Sequence, residues 1–168
     1  MGLNTARAPR ILGLDISLTK TGVATPAGTT LTIKGGKGDD RLINLYEEIC
    51  YLVAADVDLA IIEDLPTHAM SAGLTGQAQG VVRLALRRYS IPYVTVAPAT
   101  LKKYSTGSGK ATKLDMIDAA VRLQPHLNKW VPTDDEADAF LLRQLGLDRL
   151  AGKAKDVKVD WTPWEGWL

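Results

Sequence analysis

The sequence predicts an α/β domain, a five-stranded mixed sheet flanked by α-helices. Two turn-punctuated apolar segments following the first strand indicate an antiparallel meander of three strands. Downstream, short apolar runs alternate with stretches of helical spacing, the order expected of β-α-β units. The resulting order is βββαβαβαα, followed by a lysine- and tryptophan-bearing tail.

Arg10–Ile16 (RILGLDI) is the first strand, a short apolar run. Thr21–Thr25 and Thr29–Lys34 are the second and third, joined at Pro26-Ala27-Gly28, residues typical of a tight turn. Asp39–Ala55 carries Leu42, Ile43, Leu45, Tyr46, Ile49, Leu52 and Val53 at helical spacing. Leu59–Glu63 (LAIIE) is the fourth strand. Ser71–Tyr89 is a long helix expected to turn Leu74, Ala78, Val81, Val82, Ala85 and Leu86 inward. Tyr93–Val96 is the fifth strand, and short helices follow over Pro98–Lys103 and Ala111–Leu123. Asp134–Leu145 is the last, begun by Thr133 and Glu136, which form a capping box. We divide the chain into a domain over 1–148 and a tail over 149–168.

The 168 residues suffice for one domain with a proper core, and 46% are hydrophobic. No apolar run is long enough to span a membrane or to form a secretory signal, which leads us to expect a cytoplasmic protein. Cys50 is the single cysteine, so no intrachain disulfide exists; it is expected in a helix core. The net charge of +1 hides an asymmetry: Leu65–Leu114 contains no Asp or Glu but holds Arg83, Arg87, Arg88, Lys102, Lys103, Lys110 and Lys113. Such a block suits a polyanionic partner, and equally a set of dispersed, solvated helix faces.

YSTGSGKATK, Tyr104–Lys113, ends like a nucleotide-binding P-loop. It lacks the leading glycine and the hydroxyl residue after Lys110, and it follows a helix rather than a strand, so it is not one. It still offers Gly107, Gly109, Lys110 and Lys113 to an anion.

The acids sit at telling places. Asp15 and Glu63 close apolar strands, and a carboxylate there needs a partner. In TDDEAD, the capping box and helix dipole account for Thr133 to Glu136, whereas Asp138 lies a full turn in, before a packing run. Asp135 and Asp138 share a helix face, and so do Asp134 and Asp138, so either first-turn acid could join Asp138. Clustered carboxylates suit Mg²⁺ or Mn²⁺, two of which can catalyse phosphodiester hydrolysis. His68 and His126 lack zinc-ligand spacing; His68 follows Glu63 closely enough to approach the same site or to lie on a surface loop.

Taken in order, ILGLDISLTKTGVA, LAIIED, GQAQGVV and DEAD resemble the RuvC-type Holliday junction resolvases of the RNase H-like superfamily, over roughly residues 10–146. The resemblance implies an RNase H-like fold, a homodimer, and Mg²⁺-dependent cleavage of four-way DNA junctions by paired nicks. It implies Asp15, Glu63, Asp135 and Asp138 as ligands of two Mg²⁺, with Mn²⁺ able to substitute. It also places Lys110 near the scissile phosphate, with Lys102, Lys103, Lys113 and Arg83 as further DNA contacts. Such a protein would be nucleoid-associated, or work in a host cytoplasm if phage-encoded.

The sequence departs from the family at Gln79, where an arginine is usual, and in DLPTHAMSAG, which lacks the frequent aromatic residue. Flaps, forks or RNA–DNA hybrids are alternative substrates, and a non-catalytic branched-DNA-binding module is an alternative role. A two-domain ATPase of the actin or sugar-kinase type needs a longer chain. Trp161, Trp164 and Trp167 either stack on unpaired bases or dock on the protein. Gly73, Gly76 and Gly80 mark either a dimer interface or close packing onto the sheet.

Overall fold

A computed structural model describes residues 7–65, 72–125 and 130–168. The loop after Glu63 that carries His68 and lacks an aromatic residue, and His126, lie outside the described residues. Strands β1 (Ile11–Asp15), β2 (Lys20–Ala24) and β3 (Thr30–Lys34) form the expected antiparallel meander. The β2–β3 turn closes with Thr25 N–H donating to Thr29 O, and Gly28 takes a positive φ of 91° that only glycine adopts freely. Helix α1 (Asp40–Ala54) leads to β4 (Leu59–Glu63), which pairs parallel with β1. Helix α2 (Ala72–Arg88) leads to β5 (Tyr93–Val96), parallel to β4. The spatial order is β3-β2-β1-β4-β5.

Strand alternation sorts the core into two layers. Leu12 and Leu14 of β1 and Ala60 and Ile62 of β4 face α1 and α2, whose Ile49, Val53, Ala78, Val82 and Leu86 complete that layer. Ile11, Leu59 and Ile61 face the opposite side, covered by α3 (Pro98–Thr106), α4 (Lys113–Arg122) and α5 (Asp134–Leu150). Asp15 and Glu63 follow in register on this second face.

Helix limits differ from the expected ones for local reasons. Helix α3 continues to Thr106 and stops at Gly107, whose φ of 83° gives the left-handed C-terminal cap. Thr112 forms a capping box with Asp115, so α4 starts at Lys113. Helix α5 begins in the expected capping box but runs on to Leu150, because Leu145, Gly146 and Leu147 still pack on the core. Leu74 of α2 does not turn inward; it is 55% exposed. Cys50 is half-buried beside the α1–α2 layer.

Two glycines set how closely α5 lies on the sheet. A Cβ on Gly13 would fall 2.2 Å from Ala139 O, and one on Gly22 only 1.9 Å from Asp135 O. Both obstacles are backbone atoms.

The tail is part of this core. Trp161 and Trp164 are buried, the latter in the 3₁₀ turn Thr162–Trp167. The Trp164 ring fills the place a side chain on Gly146 would take, beside Ile11. The docking reading therefore holds for these two indoles, which have no face free for bases.

Trp164→Ala is expected to destabilise the protein by about 3–5 kcal/mol, read as a lowered urea midpoint. Gly13→Ala is expected to be similarly damaging, whereas Gly80→Ala, with open space at its Cβ position, should leave stability unchanged or slightly raised.

Candidate active site

Parallel pairing of β1 with β4, in the register Leu14↔Ile62, brings both C-terminal strand ends to one edge. Asp15 and Glu63 thus stand side by side on the face beneath α5. The close seat of α5 over Gly13 and Gly22 delivers Asp138 to the same point. Asp15, Glu63 and Asp138 each place a carboxylate oxygen such that these atoms lie within 4.8 Å of one another. Asp138 Oδ1 is buried without a hydrogen-bond partner.

This crowding perturbs all three groups. Burial, and then the Glu63 charge, hold the Asp15 carboxyl well above the usual range. Burial pushes Glu63 up to about 7; a hydrogen bond with Asp15 and the nearby Lys102 oppose that rise, and Asp138 adds to it. Burial and repulsion from Asp15 and Asp134 likewise bring Asp138 up to about 7, again opposed by Lys102. An acceptor without a donor among mutually repelling hard oxygens fits a divalent cation.

Asp135 is outside this triad but close enough to raise Asp15, and its own carboxyl is raised by burial. Asp134 forms an ion pair with Lys113, which holds its carboxyl below the ordinary value, and its charge adds to the rise of Asp15 and Asp138. Asp134 and Asp135 are therefore both adjacent to the triad.

The triad opens into a cleft of about 330 Å³ that Lys102 of α3 and Lys113 of α4 also line. Lys110 is not among the lining residues. It is exposed at the loop tip, where its N–H donates to Ser108 Oγ at 3.3 Å. Gly107 caps a helix, and it is Lys113, three residues beyond Lys110, that enters the cleft. Lys103 is exposed on another face of α3, and Arg83 turns to Gln79.

The supporting residues carry little sequence signal. Buried Gln79, where an arginine was expected, donates from Nε2 to Glu63 O at 2.6 Å and accepts from Arg83 Nη2 at 3.0 Å. Arg83 also lies 3.8 Å from Asp64 and over the Tyr93 ring. On the other side of the triad, Thr21 Oγ1 donates to Ser17 O at 2.8 Å, and Ser17 Oγ donates to Lys20 O at 2.6 Å. These bonds fix the β1–β2 turn directly after Asp15. The small-polar residues of ISLTKT were the only hint of it.

The family described as Crossover junction endodeoxyribonuclease RuvC matches residues 11–143. A protein of that name from Prochlorococcus marinus (strain MIT 9312) is 30% identical over 146 residues, 79% of this chain and 92% of its own length. Another, from Rhodopirellula baltica, is 32% identical over 151 residues, 81% of this chain and 84% of its own. In structure, the chain is similar to T. thermophilus RuvC in complex with Holliday junction substrate, with a TM-score of 0.68 at 17% identity, covering 81% of this chain and 91% of that one. That likeness establishes the fold.

Removing one carboxylate should relieve the crowding. With chelator present, Glu63→Gln is expected to raise the melting temperature at pH 8 by a few degrees, on the order of 1 kcal/mol. The gain should shrink at pH 6. A carboxyl whose pKa is raised on folding binds its proton more tightly in the native state, so Glu63 costs the parent protein stability as pH rises from that carboxyl's ordinary pKa to about 7, and the amide removes that share while Asp138 keeps its own. Adding Mn²⁺ should stabilise the parent and leave Asp138→Asn unchanged in thermal melts.

Proposed function

This chain belongs to the family of the crossover junction endodeoxyribonuclease RuvC, and on that premise we propose that it resolves four-way DNA junctions by paired, divalent-metal-dependent nicks. The observation that carries this reading is the half-buried Asp15–Glu63–Asp138 triad, with its unpartnered Asp138 oxygen, facing two lysines across one cleft. We assign Mg²⁺ as the working ion and Mn²⁺ as a substitute, since both take hard oxygen ligands.

Asp15, Glu63 and Asp138 would hold the metal, with Asp135 as a further ligand for a second ion. Ions held there would supply Lewis-acid chemistry, lowering the pKa of a water and offsetting charge on the phosphodiester. The chain's own contribution is to place groups in advance. Gln79 anchors the Glu63 backbone, and the Ser17–Thr21 turn anchors Asp15. Lys102, facing Glu63 and Asp138 from α3, is positioned to receive the negative charge that builds on the phosphate. Lys113 offers a second cation from α4 once it exchanges Asp134 for a phosphate oxygen. Lys103, Lys110 and Arg83 serve as more distant contacts to the DNA backbone.

Two opposed nicks call for two sites, and a homodimer supplies them. Helix α2 provides a surface for it. Nothing lies within 4 Å of the Cβ position at Gly73 or Gly80, so close packing onto the sheet does not explain either glycine. Leu74 and Leu84 flank them at 55% and 61% exposure. A second copy of α2 could approach closely there. No described helix is long and apolar enough to cross a membrane, and we place the activity in the cytoplasm, where the DNA is.

The test is a panel of labelled four-way junction, flap, fork, duplex, single strand and RNA–DNA hybrid with Mg²⁺. Paired nicks confined to the junction are expected, abolished in Asp15→Asn and Glu63→Gln while junction binding persists. Cutting of flaps, forks or hybrids instead would replace the substrate, and tight binding without any cutting would make the protein a binding module. Lys102→Ala should slow cleavage by ~10²-fold. Leu84→Glu should shift the protein to monomers in sedimentation and turn paired nicks into single ones.

A further inference from the structure

Helix α3 separates two depressions. Pro98 and Lys102, one helical turn apart, line the catalytic cleft. Ala99, Thr100 and Lys103, rotated around the same helix, line a separate groove of about 430 Å³. The opposite wall is the tail, through Asp156, Val157 and Lys158. The family match ends at residue 143, so this wall lies outside it.

We propose that this groove is a second phosphate-backbone site, through which the tail extends the DNA interface beyond the catalytic cleft; the proposal rests on the nuclease reading above. Lys103 and Lys158 are both exposed and supply a cation from each wall. Asp156 is the acid among the lining residues, and it too is exposed. The surfaces between the lysines are small or apolar, from Ala99 and Val157, with the Thr100 side chain as a polar contact. Alternating cations and apolar patches match the alternating phosphates and sugars of a backbone.

The groove offers no indole face for stacking on bases. Trp161 and Trp164 are buried in the core, and the Tyr104 hydroxyl, at the groove's edge, donates to Asp148 at 2.7 Å. Contacts of this kind hold any sequence and orient the duplex. The wall is also firmly held. Trp161 and Trp164 pin the segment that follows Lys158, and the Arg149 guanidinium lies 5.7 Å from the Trp161 ring centre. Exposed Lys153 and Lys155 continue the positive strip along the tail.

The test compares junction binding across a salt series for the parent protein, a Lys103→Ala/Lys158→Ala variant, and a Lys34→Ala/Lys37→Ala variant at the far sheet edge. All three carry Asp15→Asn to prevent cutting, and thermal melts check their folding. The groove variant should bind about tenfold more weakly at low salt, with its log–log salt slope shallower by roughly one to two, as expected for two lost phosphate contacts. The far-edge variant should match the parent. An unchanged slope in the groove variant, or an equal loss in the far-edge variant, would overturn the groove assignment alone. A parent that does not bind the junction at all would overturn it together with the nuclease reading.

Discussion

The approach of α5 to the first two strands is the contact on which everything else depends. At Gly13 and Gly22 the helix backbone occupies the space that side chains would need. That contact sets the height of α5 over the sheet and so brings the acid on its second turn down to the strand ends. A looser seat would leave Asp138 above the sheet, hydrated and unremarkable. In this fold, two absent side chains decide where a carboxylate sits.

That closeness has an electrostatic price. The sheet contributes two acids and the helix a third, and burial makes each resist ionisation in the presence of the others. The lysines are distributed to limit this without removing it. Lys102 lowers the burden on Glu63 and Asp138, while Lys113 is engaged with Asp134 at the rim. The site is left short of positive charge at its centre and supplied with it around the edge. This arrangement favours a compact cation in the middle and an extended anion across the top.

Much of this was legible in the sequence, for identifiable reasons. The five strands and the capping box at Thr133 followed from apolar runs, turn residues and local hydrogen-bonding patterns, which act over a few residues, although the box at Thr112 was not read. Asp15, Glu63 and Asp138 stood out because acids among apolar neighbours have few other uses. Lys110 was harder: in a loop, one lysine looks like another, and only the cap at Gly107 and the start of α4 at Lys113 determine which one turns inward. Gln79 read as a missing arginine, because its bond to the Glu63 carbonyl joins residues on different elements and leaves no local pattern. Leu74 followed the helical spacing of its neighbours but faces outward, since periodicity gives the stripe and not its edge. The tail's indoles were ambiguous for the same reason: their socket is formed by residues distant in sequence.

That socket has an evolutionary corollary. Trp164 fits only because Gly146 leaves room for it, with Ile11 as the remaining wall. Both Gly146 and Trp164 lie beyond the segment that matches the family. A relative acquiring the tryptophan without the glycine would gain a collision, and one keeping the glycine without the tryptophan would carry a hole. The two positions should therefore change together, so that the extension, its anchor and its seat are inherited or lost as a unit.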